Sequence, residues 1–305
     1  GVQTCALPIS WGGTLADLWR GQGHHLTTWS RSGGGDPVAA LRGADLVVSA
    51  VAMAGVPSLS ARLAPHWPSG VPLLSCSKGI DPVRLCSASQ LWSQRLPPVS
   101  LAALSGPNLA RELAQGLPAA SVIASRDRSL AQHLQTELRT ANLRLYTNSD
   151  PLGTEIAAAL KNVMAIAAGI SDGLGLGSNA KASLLCRGLA ETGLVLKALG
   201  GQPGTLYGLA GLGDLLATAN SRLSRNYRFG LLLAEGATER DALGEIQATV
   251  EGPSTARAAL GLADREGWTL PICRQVVELL EGRLSAPQAV QALMEREPRP
   301  EEPQW

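Results

Sequence analysis

The chain has 305 residues, a formal net charge of +1, 45% hydrophobic and 17% charged side chains, which is enough material for two domains with separate cores. Its scattered Lys and Arg argue against a broad nucleic-acid surface, and its five cysteines, with no CxxC and no His/Cys cluster, argue against a metal site or a disulfide framework. Such a chain suits a reducing cytoplasm, and no charge-free apolar run of about 18 residues predicts a membrane span.

Taken in chain order, residues from Trp11 to Trp19 carry apolar side chains at helical spacing, and Gly23 stops that helix. His25 to Trp29 (HLTTW) reads as a short strand ending at Ser30-Arg31. A glycine turn, a helix and a strand open a dinucleotide-binding βαβ unit, with Gly12 and Gly13 the glycines in place. After a turn at Gly33–Asp36, Pro37 to Leu41 reads as a short helix. Ala44 to Val51 then reads as a continuous apolar strand, the mark of a parallel sheet covered on both faces. Helix Val56 to Leu63, strand Val71 to Ser75, helix Leu85 to Gln94, strand Val99 to Leu104, helix Ala110 to Gln115, strand Ala120 to Ser125, helix Ser129 to Leu138 and strand Leu143 to Thr147 follow. The alternation predicts an open, doubly wound parallel α/β domain over residues 1–150. Two strand ends carry polar residues where such sheets bind ligands: Cys76-Ser77-Lys78-Gly79 and Ser105-Gly106-Pro107-Asn108.

After Asp150-Pro151 the strand-like runs stop, and residues 151–294 read as an all-α domain; the charged, proline-rich tail 295–305 reads as disordered. The stretch from Ile156 to Ile170 is almost unbroken Ala, Ile, Leu, Val and Met, interrupted only by Lys161 and Asn162. Such a helix is buried on all sides, and a buried ammonium is costly unless it is paired or its pKa falls. A lysine that snorkels out or closes a structural ion pair is the plain alternative. The adjacent Asn162 and the small residues around the pair favour Lys161 as a catalytic group. Further on, GLAGLGDLLAT places a lone Asp214, able to cap the next helix, to pair with Lys161 or to hold a substrate hydroxyl. Ser224-Arg225-Asn226 combines a hydroxyl, a guanidinium fork and an amide, a set that suits a phosphate or carboxylate. Glu251 in TVEG has the same ambiguity as Asp214, with a helix expected after Pro253.

SKGI at Ser77–Ile80, SGPNLARELA at Ser105–Ala114, the long segment Glu155–Ala182, and GLAGLGDLLAT with Ser224-Arg225-Asn226 resemble the bacterial NAD(P)-dependent sn-glycerol-3-phosphate dehydrogenase family. The resemblance runs from Trp11 to about Leu262. It implies a Rossmann-like domain followed by an all-α domain, and hydride exchange between NADH or NADPH and a small phosphorylated substrate. The reaction would interconvert glycerol 3-phosphate and dihydroxyacetone phosphate for phospholipid synthesis. Lys161 would handle the proton at the carbinol oxygen, with Asn162 orienting that oxygen or the phosphate. Lys78 would sit between nicotinamide and substrate. Gly106, Asn108 and Asp214 would line the substrate site, and Ser224, Arg225 and Asn226 would hold the phosphate. Ser10, Trp11, Lys78, Ala110, Arg225 and Glu251 would contact the cofactor, and Arg31 would favour the 2′-phosphate of NADPH. A homodimer is compatible with this reading.

Two departures stand out. Leu7-Pro8-Ile9-Ser10-Trp11-Gly12 occupies the place of the family's GxGxWG turn, and the Leu7 and Ile9 side chains would obstruct the pyrophosphate. Similarity begins abruptly at Ser10 or Trp11, so residues 1–9 are read as a non-native start, and the chain as written is expected to bind a dinucleotide weakly. The link from Arg31 to Ala44 is also short, a tolerable deletion at the domain edge. Two other readings remain at this point: a two-domain dehydrogenase for another hydroxy acid, and an impaired relative that still folds.

Overall fold

The computed structural model describes residues 10–298, 300 and 301. Its first half is an α/β layer. Helix α1 (Ser10–Arg20) is followed by strand β1 (Val47–Ser49), helix α2 (Val56–Leu63), strand β2 (Leu73–Ser75), helix α3 (Ala88–Ser93) and strand β3 (Leu101–Ser105). Helix α4 (Ala110–Ala114), strand β4 (Ala119–Ala124), helix α5 (Arg128–Leu138) and strand β5 (Leu143–Asn148) complete it. The strands lie in the order β1-β2-β3-β4-β5. Alternation of side chains explains why the sheet needs cover on both sides. Val48 and Leu74 pack with Leu15 and Trp19 of α1 and with Leu134 of α5, while Val47 and Leu73 pack with Val56, Leu91 and Trp92 from α2 and α3.

Four expectations need correction. β4 runs antiparallel to β3, while β1-β2, β2-β3 and β4-β5 are parallel. A mostly apolar strand carries no mark of its direction, so the sequence pattern was the same for either sense. His25–Trp29 forms no extended strand among the described residues; only isolated bridging, as between Ser30 and Gly34, occurs there. The segment before α1, from which a doubly wound sheet draws a neighbour for that strand, lies outside the described residues, as do the Leu7 and Ile9 positions. The expected helix Leu85–Gln94 is confined to α3, because Leu85 sits at φ 54° in a turn and Ser87 caps the helix with a reciprocal Gln90 contact. The helix expected after Pro253 begins earlier, at Gly252, with Pro253 in its first turn, where a missing N–H is harmless.

The second half is helical. It comprises α6 (Pro151–Gly173), α7 (Gly177–Ala198), α8 (Pro203–Leu206), α9 (Asp214–Ala219), α10 (Arg225–Ala234), α11 (Glu239–Ile246), α12 (Gly252–Glu266), α13 (Pro271–Leu280) and α14 (Ala286–Met294). Asp150 starts α6 by accepting from the Gly153 N–H at 2.9 Å, and Pro151 supplies the pre-set φ of a first helical residue. Every residue of α6 from Gly153 to Ser171 is buried. By length and composition α6 could cross a membrane, yet its apolar window is wholly covered by protein. It is the axle of the domain, packed by α7, α9, α10, α12 and α13.

The α6–α10 contact depends on two glycines. A Cβ on Gly169 would lie 2.1 Å from the Tyr227 carbonyl oxygen, and one on Gly230 would lie 2.1 Å from that of Ile166. Both distances are impossible, so the two backbones touch only because neither residue has a side chain. α6 is tied to the α/β layer through Glu155, which is fully buried and accepts from Ser87 Oγ at 2.6 Å, Ser89 Oγ at 2.5 Å and the Ser89 N–H at 3.0 Å. Of the tail, residues 299 and 302–305 lie outside the described residues, and Arg296, Glu297, Pro300 and Glu301 line a groove with α7, α13 and α14.

Candidate active site

Lys161 reaches neither bulk solvent nor a surface acid; it is 8% exposed. Its Nζ donates to Thr218 Oγ1 at 2.6 Å and lies 3.0 Å from Asp214 Oδ1. Burial drives its pKa down, Asp214 partly restores it, and the neighbouring Lys78 and Arg225 charges lower it again, leaving it at about 8. Asp214 is itself bridging: its Oδ2 sits 2.6 Å from Lys78 Nζ, which also donates to the Gly106 carbonyl at 3.2 Å. Burial pushes the Asp214 carboxyl up, but the two ammonium groups outweigh this and hold it below the ordinary carboxylate range. Asp214 therefore pairs with Lys161, and it does not cap α9, since Gly213 occupies the cap and a π-helical turn, Leu209–Gly213, runs straight into the helix. An ammonium has three protons. Lys78 and Lys161 each spend two on the protein and keep one.

A relay of amides orients the next donor. The Gly252 N–H, at the start of α12, donates to Asn226 Oδ1 at 2.9 Å, which fixes the Asn226 amide. Its Nδ2 must then donate to Asn162 Oδ1, at 2.9 Å. Asn162 is left with an Nδ2 that has no hydrogen-bond partner among the described residues, on a residue 4% exposed. Ser224 is buried and caps α10 by accepting from the Tyr227 N–H.

These groups meet in one cleft of about 400 Å³ between the α/β layer and the helices. Trp11, Lys78, Asn108, Ala110, Lys161, Asn162, Ser224, Arg225, Asn226 and Glu251 line it, joined through hydrogen bonds by Gly106 and Asp214. Gly106 has φ 155°, and a Cβ there would lie 2.9 Å from the Ala120 oxygen and the Ser121 Cα of β4, so only glycine lets the turn after β3 pass that strand. Glu251 does not cap α12 with its side chain; it accepts from the Met53 N–H at 3.1 Å and lies near Arg225, linking the two halves. Ser10 is the first residue of α1. Arg31 is exposed in a turn and is not among the residues lining the cleft. Sequence reasoning missed Thr218, which donates to Asp214 Oδ1 at 3.1 Å while accepting from Lys161. Its spacing of four from Asp214, one helical turn, was the available signal. Glu155, which ties the lysine helix to the sheet layer, was also missed.

The models described as NAD-dependent glycerol-3-phosphate dehydrogenase N-terminus and C-terminus match residues 32–131 and 150–291. A glycerol-3-phosphate dehydrogenase [NAD(P)+] from Synechococcus sp. (strain RCC307) is 53% identical over 290 residues, covering 95% of this chain and 96% of the relative. The chain belongs to the NAD-dependent glycerol-3-phosphate dehydrogenase family. A second relative of that name, from Synechocystis sp., is 47% identical over 94% of this chain and 91% of its own length. The crystal structure of glycerol-3-phosphate dehydrogenase from Coxiella burnetii superposes with a TM-score of 0.93 at 33% identity, covering 97% of this chain and 99% of that one.

The residues present fit the dinucleotide that this family uses. The carboxyl ends of parallel strands β1 and β2 open onto the cleft through Ala50, Val51, Ala52 and Cys76, beside Trp11 in the first turn of α1, which is where such sheets take a nucleotide. Two buried polar atoms on lining residues, Trp11 Nε1 and Asn108 Oδ1, lack a partner within the described protein. Among the described residues there is no grouping of His, Cys, Asp and Glu that could hold a metal ion.

Proposed function

We propose that this chain exchanges hydride between NAD(P) and the pair glycerol 3-phosphate and dihydroxyacetone phosphate, supplying the backbone of glycerophospholipids in the cytoplasm. The observation that carries the reading is the convergence of Lys78 and Lys161 on Asp214, facing the amide of Asn162 and the Ser224-Arg225-Asn226 turn across one cleft. When bound, NAD(P) gives or takes the hydride at the substrate's central carbon. Trp11, Ala110 and Glu251 are assigned to hold it within the cleft, with Ser10 and Arg31 beyond the cleft lining and Lys78 and Arg225 at the border with the substrate.

In the direction of reduction, the one free N–H on each lysine polarises the carbonyl oxygen. Lys161 then donates its proton to that oxygen as negative charge develops there. In the opposite direction neutral Lys161 takes the hydroxyl proton; a group titrating near 8 can do either at physiological pH. Asp214 and Thr218 hold Lys161 in place, so its third proton points where the first two do not. Asn162 donates to the substrate from the other side, and Ser224, Arg225 and Asn226 at the start of α10 take the phosphate, where the helix dipole favours an anion.

A related dehydrogenase acting on a non-phosphorylated hydroxy acid would offer the arginine and helix start a carboxylate in place of the phosphate, and it is disfavoured by the 53% and 47% identical relatives named glycerol-3-phosphate dehydrogenase [NAD(P)+]. The test is NADH and NADPH oxidation with dihydroxyacetone phosphate, set beside ketopantoate and simple 2-keto acids. Turnover confined to the phosphorylated substrate and abolished in Lys161→Ala is expected; turnover of the keto acids alone would sink the reading.

A further inference from the structure

The cleft holds more positive charge than the residues assigned so far explain. Arg222, in the loop before α10, and Arg228, one turn into it, line the same cleft as Arg225. Arg225 and Arg228 are three residues apart and so share a helix face. Neither Arg222 nor Arg228 has an ion-pair partner among the described residues. The cleft's carboxylates are already engaged: Asp214 by two lysines, Glu251 by the Met53 N–H and Arg225. The amide of Asn162, more than nine-tenths buried, adds an unpaired donor beside this wall. Arg222 and Arg228, flanking Arg225 at a helix start, repel it and each other, and this is relieved by an anion carrying more than one charge.

We propose that Arg222 and Arg228 are specificity-determining residues: together with Arg225 they select the doubly charged phosphate of the substrate and draw it into the cleft. Arg225 alone matches one negative charge, and a phosphate monoester carries between about 1.5 and 2 at pH 7. Arg222 is exposed and Arg228 half-buried, so they stand at the approach to the buried Ser224 and Asn226. The inference rests on the cleft's being the substrate site proposed above. A phosphate of the cofactor has the same chemistry, and the experiment separates the two.

Arg222→Gln, Arg228→Gln and the double variant are compared with Arg222→Lys and Arg228→Lys in the full chain. In low salt each Gln change should raise KM for dihydroxyacetone phosphate about fivefold and leave kcat within twofold, with KM for NADH and NADPH unmoved. The effect should shrink below twofold in 0.5 M salt, where screening reaches only about 4 Å. The Lys variants should recover most of the loss, which a merely structural role would not allow. In parallel, inorganic phosphate should raise the Tm of the parent chain more than that of the double Gln variant, a readout independent of turnover. If the parent turns over no dihydroxyacetone phosphate but the phosphate shift still depends on the two arginines while the Kd for NADPH does not, the reaction assigned above fails and this inference stands. An unchanged substrate KM in the double variant, a shift in the cofactor KM instead, or a phosphate-induced Tm rise equal in parent and double variant overturns it.

Discussion

Lys78 and Asp214, 136 positions apart in the chain, meet at 2.6 Å across the junction of the α/β layer and the helices. Lys78 belongs to the turn after β2 and Asp214 to the first turn of α9, so the pair fixes one half of the protein against the other at the point where both would touch substrate. Asp214 reaches Lys161 with its second oxygen. One carboxylate thus sets the spacing of two ammonium groups.

With Lys161 as the proposed proton carrier, its pKa would give the reaction a directional pH dependence. Its value of about 8 lies below the ordinary 10.5 because burial disfavours the ammonium more than Asp214 supports it. Oxidation of glycerol 3-phosphate needs the neutral amine, so kcat/KM should climb through pH 8; reduction needs the ammonium and should decline above it. The sign for stability follows from the same depression. Below pH 8 the fold carries the full cost of burying a charge, and that cost fades as pH rises from 8 towards 10.5. Initial rates in both directions from pH 6 to 10 check this; parallel profiles would be inconsistent with Lys161 as the proton carrier.

Asp214→Asn should separate these roles. It leaves two ammonium groups with no anion between them, a broken buried pair that typically costs about 3–5 kcal/mol. It also removes the main influence raising the Lys161 pKa, so the oxidation profile should move to lower pH while its plateau falls. Urea unfolding at pH 7 and pH 9.5 gives the stability arm, and the loss should be smaller at the higher pH, where neutral Lys161 no longer needs a partner.

Glu155→Ala should act on the reaction only through position. Ser87 Oγ, Ser89 Oγ and the Ser89 N–H lose their shared acceptor, and stranding such donors costs about 1–3 kcal/mol each at most. A total loss near 3 kcal/mol is expected, read as a lower urea midpoint, with kcat reduced and the pH profile unshifted. Glu155→Gln keeps one acceptor oxygen and should recover part of both.

The start of the chain offers a test of the cofactor turn. Leu7 and Ile9, outside the described residues, stand in the sequence where the family's pattern has glycines, and side chains in such a turn would oppose close approach of a pyrophosphate. Leu7→Gly with Ile9→Gly should tighten NADPH binding by at least tenfold in a fluorescence titration. Low-micromolar affinity in the unaltered chain would show that this stretch leaves the nucleotide unhindered.

Much of this was readable from residue types. The apolar run broken by Lys161 and Asn162 is the buried axle helix, and the polar residues after Ser75 and Ser105 do lie at strand ends facing the cleft. What could not be read were relations between distant segments. Nothing local in β4 distinguishes an antiparallel strand from a parallel one. Glu155 carries no local mark of its role, and only the fold sets it against Ser87 and Ser89. Thr218 gains its two partners only where the fold lays Lys161 beside Asp214.

Gly169 and Gly230 decide something neither of them touches. α6 carries Lys161 and Asn162, α10 begins with Arg225 and Asn226, and the two helices meet where no methyl group intervenes. The gap between Lys161 and the turn that opens α10 is therefore a fixed ruler, and under the proposed function it is what a three-carbon phosphate would be measured against. A methyl at either glycine would work as a shim, lengthening the molecule the cleft can measure without altering a single side chain that measures it.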